Sequence, residues 1–209
     1  MSEYQLYCFG ESGNAYKAAL MLELTGQKWR PIFVDFFNGE TRSPKYRADI
    51  NEMGEVPVLI HGDQKLTQSG VILDYLAEQT QRYNAKSEDE RREILRWVLF
   101  DNHKFSSLIA TLRYMIVLAK TGETPVTEFL RGRVLSSLKI VNSHLSDQDF
   151  MIGKRPTIAD LSMCGYLYYG EELPFTLADY PKVVNWLDRI RGIPSWKHPY
   201  DLMPRIKPA

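Results

Sequence analysis

The sequence contains little cysteine. Cys8 and Cys164 are the only two in 209 residues, and they lie far apart in apolar surroundings. This excludes a disulfide-stapled secreted scaffold and favours a reduced chain, which we expect in the cytoplasm. The N-terminal stretch MSEYQLYCFG carries neither the basic region nor the apolar segment of a secretory signal. No apolar run approaches the about 20 residues of a membrane-spanning helix, so no membrane partner is expected.

An excess of charge of one sign is also missing. Twenty-six Lys and Arg residues balance 26 Asp and Glu residues, and the formal net charge is zero. A chain without excess positive charge does not attract phosphate backbones, so no nucleic-acid partner is expected and a small substrate must be recognised by local contacts. The sequence has no internal repeat or low-complexity segment either. Its hydrophobic content of 44% is sufficient for a packed core in one large or two small domains.

The first part of the chain alternates between strand and helix patterns. The pattern predicts strands at 4–9, 29–36, 56–60 and 64–66, and helices at 15–24, 43–50 and 70–78. The first βαβ unit implies a parallel pair with a right-handed crossover, and the last two strands form a hairpin. The order βαβαββα predicts a thioredoxin-like α/β domain over residues 1–80.

The rest of the chain is predicted to be helical. Residues 79–86 are polar and poorly periodic, as in a linker, and Ser87 then opens a long helix with a capping box. A second capping box, Thr157 with Asp160, precedes a largely apolar helix, and we interpret it as structural. The sequence therefore predicts an all-α domain over residues 87–209.

Residues 54–78, GEVPVLIHGDQKLTQSGVILDYLAE, hold the most informative pattern. Pro57 cannot donate to a strand ladder, so the backbone N–H and C=O of Val56 are left to pair with something other than a strand. A proline at such a position can take the cis form. Gln68 and Ser69 then lie at the start of a helix, where free N–H groups suit a carboxylate.

The sequence VPVL, followed by Gln-Ser and the helix GVILDYLAE, resembles the glutathione-binding half of bacterial-type cytosolic glutathione transferases. The resemblance implies that Val56, before a cis Pro57, pairs backbone to backbone with the cysteinyl unit of glutathione. It also implies that Gln68 and Ser69 hold the γ-glutamyl end. It extends over nearly the whole chain and implies the transferase fold, an α/β domain followed by a helical one.

Conjugation of glutathione needs a thiolate, although a free thiol has a pKa of ~8.5. Ser12 offers a hydroxyl donor at the start of the first helix, where the helix dipole favours an anion. The run LYCFGESGNA resembles the serine-type theta and delta classes, in which the serine hydroxyl donates to the glutathione sulfur. Asn14 and Tyr7 remain alternative donors. Cys8 is less favoured as a reactive thiol, because it lies inside a strand and has no C-x-x-C partner.

The glycine carboxylate of glutathione needs a cation. Several classes of the family carry a Lys before VPVL, but this chain has Glu55, so Arg42 or Lys45 would have to supply the charge. The resemblance also implies that an acid of the neighbouring subunit reaches the γ-glutamyl amine. Asp101 lies at about the right distance along the chain for this role, and the active site would then be completed in a homodimer.

The sequence thus predicts a glutathione transferase that conjugates the glutathione thiolate to small hydrophobic electrophiles in detoxification, with peroxidase activity as a further expectation. Glutathione is the cosubstrate, and no metal is expected. The helical domain is expected to contribute the electrophile pocket and dimer contacts. Two alternatives remain open: a non-catalytic glutathione-binding and dimerisation module, and a disulfide-bond oxidoreductase of transferase shape.

Overall fold

The computed structural model describes residues 3–205 and divides the chain into two compact units. The first unit holds the chain up to Arg82 together with the segment from Pro194 onward, and the second runs from Tyr83 to Ile193. The first boundary falls inside the predicted linker. The second differs from the predicted helical domain over 87–209, because the segment from Pro194 onward groups with the first unit.

The first unit contains a four-stranded mixed sheet. Its elements are β1 (Tyr4–Cys8), α1 (Gly13–Leu24), β2 (Trp29–Phe33), a 3₁₀ turn (Glu40–Arg42), α2 (Pro44–Asp49), β3 (Val58–His61), β4 (Gln64–Thr67) and α3 (Ser69–Thr80). The sheet order is β2-β1-β3-β4, with β1 parallel to β2 and antiparallel to β3, and β3 antiparallel to β4. This confirms the thioredoxin-like order. Strand β2 ends earlier than predicted because the chain turns, with the Phe36 N–H bonded to the Val34 C=O.

Helix α1 is buried along most of its length and packs against β1 and α3. It begins where the Ser12 side chain accepts a hydrogen bond from the Ala15 N–H at 3.2 Å. It ends before Gly26, whose φ of +68° lies in the left-handed region that glycine adopts without strain. Small side chains such as Ala18 and Ala19, both fully buried, let the helix approach its neighbours closely.

The second unit is helical. It contains α4 (Glu88–Phe100), α5 (Ser106–Arg113), α6 (Pro125–His144), α7 (Ile158–Met163) and α8 (Pro181–Arg191). A π-helical segment, Asp101–Phe105, joins α4 to α5, and a second one, Tyr114–Leu118, follows α5. One face of α6 is buried, since Val134, Leu138 and Val141 are fully buried.

Asp160 joins three parts of this unit and is fully buried. Its Oδ2 accepts a hydrogen bond from the Thr157 N–H at 2.8 Å, which confirms the predicted capping box. Its Oδ1 accepts from the Met151 N–H at 2.7 Å and from the Trp186 Nε1 at 2.9 Å. These contacts hold the loop before α7, the start of α7 and helix α8 together, so Asp160 has a structural role.

The C-terminal segment of the chain adds a short helix, α9 (Pro199–Leu202), to the first unit. Helix α9 packs against α1. The Tyr16 hydroxyl of α1 donates to the Lys197 C=O at 2.8 Å, and the Lys197 ammonium lies 2.5 Å from Glu23. None of the helices within residues 3–205 combines the length and apolar composition that crossing a membrane requires.

Candidate active site

The register of the sheet brings three chain segments to one end of it. Tyr7, near the end of β1, pairs with Val58 at the start of β3, and Val58 pairs with Thr67 at the end of β4. The residues that follow β1, precede β3 and follow β4 therefore leave the sheet at the same end. These residues are Ser12, Val56 with Pro57, and Gln68 with Ser69.

The segment after β2 leaves the sheet at this end as well. Cys8 at the end of β1 pairs with Phe33 at the end of β2, because the two strands are parallel. The 3₁₀ turn that holds Arg42 follows, and its Thr41 C=O lies 2.8 Å from the point where a Cβ on Gly54 would stand. The turn is thus packed against the segment that leads into Val56 and Pro57, and a larger residue at Gly54 would push it away.

Ser12 is 5% exposed, and its hydroxyl can still donate a hydrogen bond. Its Oγ accepts from the Ala15 N–H at 3.2 Å, and its own backbone N–H donates to the Phe9 C=O at 3.1 Å. A serine hydroxyl can accept and donate at once. Within residues 3–205 no group takes the hydroxyl proton, so it remains available to an acceptor such as a thiolate beside the start of α1.

The other two candidates for thiol activation lie on either side of Ser12. Asn14 is the second residue of α1, and its buried Oδ1 has no hydrogen-bond partner within the described residues. Rotation of this amide would present an N–H donor at the same place. Tyr7 is half-buried within β1, where its backbone pairs with Ile32 and Val58. The structure therefore brings Ser12 and Asn14 together at the helix start and keeps Tyr7 in the sheet.

Neither cysteine is placed as a nucleophile. Cys8 and Cys164 are both fully buried, and neither is part of a disulfide. Burial raises the pKa of the Cys8 thiol to about 12, against a smaller opposing effect of a backbone hydrogen bond from Ile32. A thiol with such a pKa is protonated at neutral pH and is therefore unreactive.

The Val56–Pro57 peptide bond is cis, as the resemblance implied. The Glu55 C=O just before it accepts hydrogen bonds from the Tyr46 hydroxyl and from the Asn51 side chain, both at 3.0 Å. These two bonds fix the path of the chain into the cis bond. The N–H and C=O of Val56 have no partner within residues 3–205, so both can pair with an extended peptide.

Gln68 and Ser69 form the start of α3. Gln68 has φ of +65°, a conformation rare for a residue with a side chain, and no side chain caps the helix. The first intrahelical bond of this turn runs from the Ile72 N–H to the Gln68 C=O, so the N–H groups before Ile72 are available to an anion. Ser69 is 4% exposed, at the base of this site.

The Gln68 side chain contacts Glu55, the residue before VPVL where several classes of the family carry a Lys. Its Nε2 donates to the Glu55 Oε2 at 3.1 Å. Both residues are exposed, and both lie just beyond the paired Val58 and Thr67, at the same end of the β3–β4 hairpin. Sequence reasoning gave no sign of this contact, because nothing in the local pattern relates the side chain before Val56 to the side chain before Ser69.

The two predicted cations differ in their surroundings. The Lys45 ammonium lies 2.6 Å from Asp49, one helical turn away, and both side chains are largely exposed. Arg42 is exposed and has no ion pair among the described residues. Because the Arg42 turn packs against the segment before Val56, Arg42 is the better placed of the two.

Asp101 has internal contacts that sequence reasoning did not foresee. It is fully buried within the second unit, and its two carboxylate oxygens accept from the Ser106 and Ser162 hydroxyls, each at 2.6 Å. A carboxylate held in this way joins the π-helical segment to α7. These contacts favour a structural role, and the predicted contact with the amine of a ligand across a dimer stays a prediction.

A further contact near Ser12 comes from the far end of the chain. The Gly10 N–H donates to the Pro204 C=O at 2.7 Å, and the Glu11 carboxylate accepts from the Arg205 Nε at 3.0 Å. The second pair is separated by 194 positions in sequence. The only signal for it in the sequence is the aromatic and proline-rich composition of residues 196–204.

The part of the chain that the structure describes holds no cluster of three or more His, Cys, Asp or Glu side chains suited to a metal ion. The groups that converge at this end of the sheet are instead backbone amides, hydroxyls, carboxamides and an arginine. Such groups can hydrogen-bond to an anion or to an extended backbone.

Comparison with known proteins identifies the family. Residues 2–78 match the N-terminal domain of glutathione S-transferases, and residues 106–194 match the C-terminal domain. Glutathione S-transferase F14 from Arabidopsis thaliana is 27% identical over 93% of this chain and 82% of its own. Maleylacetoacetate isomerase from Rhizobium meliloti is 31% identical over 95% of this chain and 97% of its own.

Solved structures agree with this result. The crystal structure of a glutathione S-transferase from Pseudomonas fluorescens matches with a TM-score of 0.89 at 29% identity, over 96% of this chain and 100% of that one. Because the match covers 96% of this chain, it includes both units. The thioredoxin-like unit, the helical unit and the two domain matches together show that the chain belongs to the glutathione S-transferase family.

Proposed function

We propose that the protein is a glutathione transferase that conjugates the thiolate of glutathione to small hydrophobic electrophiles. One observation carries the proposal: the sheet register places the Ser12 hydroxyl, the unpaired backbone of Val56 and the uncapped start of α3 at one end of the sheet. These three features can bind, in the same order, the sulfur, the cysteinyl backbone and the γ-glutamyl carboxylate of glutathione. The names of the relatives, which include glutathione S-transferases, support the same ligand.

Each end of the tripeptide has a binding group. The γ-glutamyl carboxylate accepts from the N–H groups at the start of α3 and from the hydroxyl of Ser69, where the helix dipole also favours it. The cysteinyl backbone pairs with the N–H and C=O of Val56. The glycine carboxylate is held by Arg42, since Lys45 is engaged by Asp49.

Ser12 stabilises the thiolate without becoming a nucleophile. Its hydroxyl donates to the sulfur while its Oγ continues to accept from the Ala15 N–H. Hydrogen bonding to the charged form and the positive end of α1 both lower the pKa of the bound thiol. The thiolate then attacks an electrophilic carbon. A C–S bond forms, the bond to the leaving group breaks, and the leaving group departs with the electron pair.

A second candidate reaction is supported by the relative of highest identity among those described above, the maleylacetoacetate isomerase at 31%. A bound thiolate can add to a conjugated C=C bond, allow rotation about the resulting single bond, and then leave. Glutathione is regenerated in such an isomerisation, so it acts as a catalyst and is not consumed. The same thiolate site serves both reactions, and only the electrophile differs.

We also propose that the protein forms a homodimer. Leu95 and Leu99 lie one turn apart on α4 and are 48% and 60% exposed, although they are large and apolar. Large apolar side chains exposed next to each other on a helix can form part of an association surface. Sedimentation velocity is expected to give twice the mass of the chain, and Leu99→Glu is expected to give the monomer. A wild-type monomer would contradict the dimer but not the reaction.

Binding and turnover together test the proposed function. Calorimetry should show one glutathione bound per chain. Turnover should then be screened with aryl halides, isothiocyanates, organic hydroperoxides and maleylacetoacetate, each with glutathione present and absent. Glutathione-dependent turnover of an aryl halide or isothiocyanate supports conjugation, and isomerisation without consumption of glutathione supports the second candidate. Binding without turnover would favour a glutathione-binding module, and no binding would overturn the proposal.

A further inference from the structure

We propose that residues 196–205, here called the C-terminal segment, position the loop that carries Ser12, and that Arg205 is the residue that holds this loop. The proposal rests on the proposed function, because it concerns the same thiolate site. Arg205 acts through Glu11 and the loop backbone, so it is a positioning residue and not a catalytic one.

Two contacts fix the loop between Phe9 and Ser12. The Gly10 N–H donates to the Pro204 C=O at 2.7 Å. The Arg205 side chain lies over Gly10, since a Cβ on this glycine would be 2.5 Å from the Arg205 Cγ. The absence of a side chain at Gly10 therefore lets the segment approach the loop backbone directly.

An ion pair adds to these backbone contacts. The Arg205 Nε donates to the Glu11 Oε1 at 3.0 Å, and the Glu11 side chain is only 9% exposed. The Arg205 guanidinium also lies 3.6 Å from the centre of the Tyr200 ring, which restricts its orientation. Tyr200 is thus a second titratable group in contact with the Arg205 guanidinium. The guanidinium thus has a fixed position beside a largely buried carboxylate.

The C-terminal segment is itself anchored on α1. The Tyr16 hydroxyl donates to the Lys197 C=O at 2.8 Å, and Lys197 pairs with Glu23 at 2.5 Å. Helix α9 is capped by the His198 ring, whose Nδ1 accepts from the Tyr200 N–H at 3.2 Å. Helix α1, which begins after Ser12, therefore supports the C-terminal segment. The loop before Ser12 is held both by α1 and by this segment.

The charge of Glu11 affects the pKa of a thiol bound beside Ser12. Glu11 is the residue before Ser12, and an uncompensated carboxylate there would raise the pKa of a nearby bound thiol. Arg205 cancels this charge and holds the loop backbone at the same time. Loss of Arg205 should therefore affect thiolate formation more than glutathione binding, which depends on Val56 and α3.

Four variants of the full chain test this role. Arg205→Gln removes the charge, and Arg205→Lys keeps it. Glu11→Gln combined with Arg205→Gln removes both charges. Lys197→Gln is the matched control, because it breaks an ion pair of the same segment at the opposite end of α1 from Ser12. The readouts are the pH dependence of thiolate absorbance in the glutathione complex, kcat with an aryl halide, and affinity for S-methylglutathione.

Arg205→Gln is expected to raise the apparent pKa of the bound thiol by about half a unit to one unit, and to lower turnover at pH 6.5 by about 3- to 10-fold. Affinity for S-methylglutathione should stay within about twofold. In the double variant the pKa of the bound thiol should return most of the way to its wild-type value. Arg205→Lys and Lys197→Gln should resemble the wild type.

An Arg205→Gln enzyme with wild-type pKa and turnover would overturn the inference while leaving the proposed function intact. An equal effect from Lys197→Gln would also overturn it, since a general loosening of the segment would then explain the result. A wild-type protein that fails to bind glutathione would instead overturn the proposed function itself. Thermal unfolding of each variant confirms that it is folded before its thiol pKa and turnover are compared.

Discussion

Replacement of Ser12 separates the chemical role of its hydroxyl from its structural role. The hydroxyl caps α1 by accepting from the Ala15 N–H at 3.2 Å, and we propose that it also donates to the thiolate. Ser12→Ala removes both interactions. Loss of one hydrogen bond to a charged group costs about 1.5–3 kcal/mol, which corresponds to a roughly 10- to 100-fold fall in kcat. Loss of the cap costs ~1 kcal/mol of stability, or about 2–4 °C in the melting temperature.

Two further variants separate the loss of the hydrogen bond to the thiolate from the loss of the helix cap. Ser12→Gly also lacks the hydroxyl, but glycine at a cap position costs only a few tenths of a kcal/mol, so the turnover loss should persist with little loss of stability. Ser87 caps α4 through the same three-residue spacing, its Oγ accepting from the Glu90 N–H at 3.2 Å. Ser87→Ala should therefore lower stability by a similar amount and leave turnover unchanged.

The assay measures kcat with an aryl halide, and affinity for S-methylglutathione by calorimetry, since this ligand has no thiol to ionise. In the wild type the pKa of the bound thiol should lie below the ~8.5 of a free thiol, and conjugation should rise with pH through this lowered pKa. Removal of the hydroxyl raises the pKa of the bound thiol, so the rise moves to higher pH. Turnover that survives in both Ser12 variants, or affinity that collapses while turnover survives, would refute the assignment and leave Asn14 and Tyr7 as candidates.

Other predictions follow from the remaining contacts. Arg42→Gln should raise KM for glutathione about 3- to 10-fold in low salt with kcat unchanged, whereas Lys45→Gln should do little; the reverse result would move the glycine carboxylate to Lys45. Because burial raises the pKa of Cys8 to about 12, a maleimide should label native protein at pH 8 far more slowly than urea-unfolded protein. Cys8→Ala and Cys164→Ala should keep most conjugation activity, and a large loss would favour a disulfide oxidoreductase. Asp160→Ala should cost about 3–5 kcal/mol in urea unfolding, as its N–H partners lose their acceptor, and a cost below ~1 kcal/mol would contradict its structural role.

Much of the fold could be predicted because its signals are local. Each of these signals depends on residues within four positions of one another, so the sequence spacing indicates it directly. Examples are the Ser12 cap, the left-handed Gly26 and the Thr157–Asp160 capping box. Pro57 is equally informative, because it removes a donor wherever it stands. These positions fix where elements begin and end, and the order of elements then restricts the topology.

Contacts between distant residues could not be predicted in this way. The hydroxyl partners of Asp101 come from Ser106 in the next segment and from Ser162 in α7, and no pattern links them. The contact between Glu55 and Gln68 likewise arises only when two strands pair in register. The π-helical segments were missed for a related reason, since a helix with one extra residue per turn has the same local composition as an ordinary helix.

The grouping of the segment from Pro194 onward with the first unit has a consequence for synthesis. A chain emerges from the ribosome at about 5–20 residues per second, and domains near the N-terminus usually fold first. Here the partner of Gly10 and Glu11 is translated after the entire helical unit. The first unit therefore acquires these contacts only after the helical unit has been translated, and a fragment ending at Arg82 would lack them.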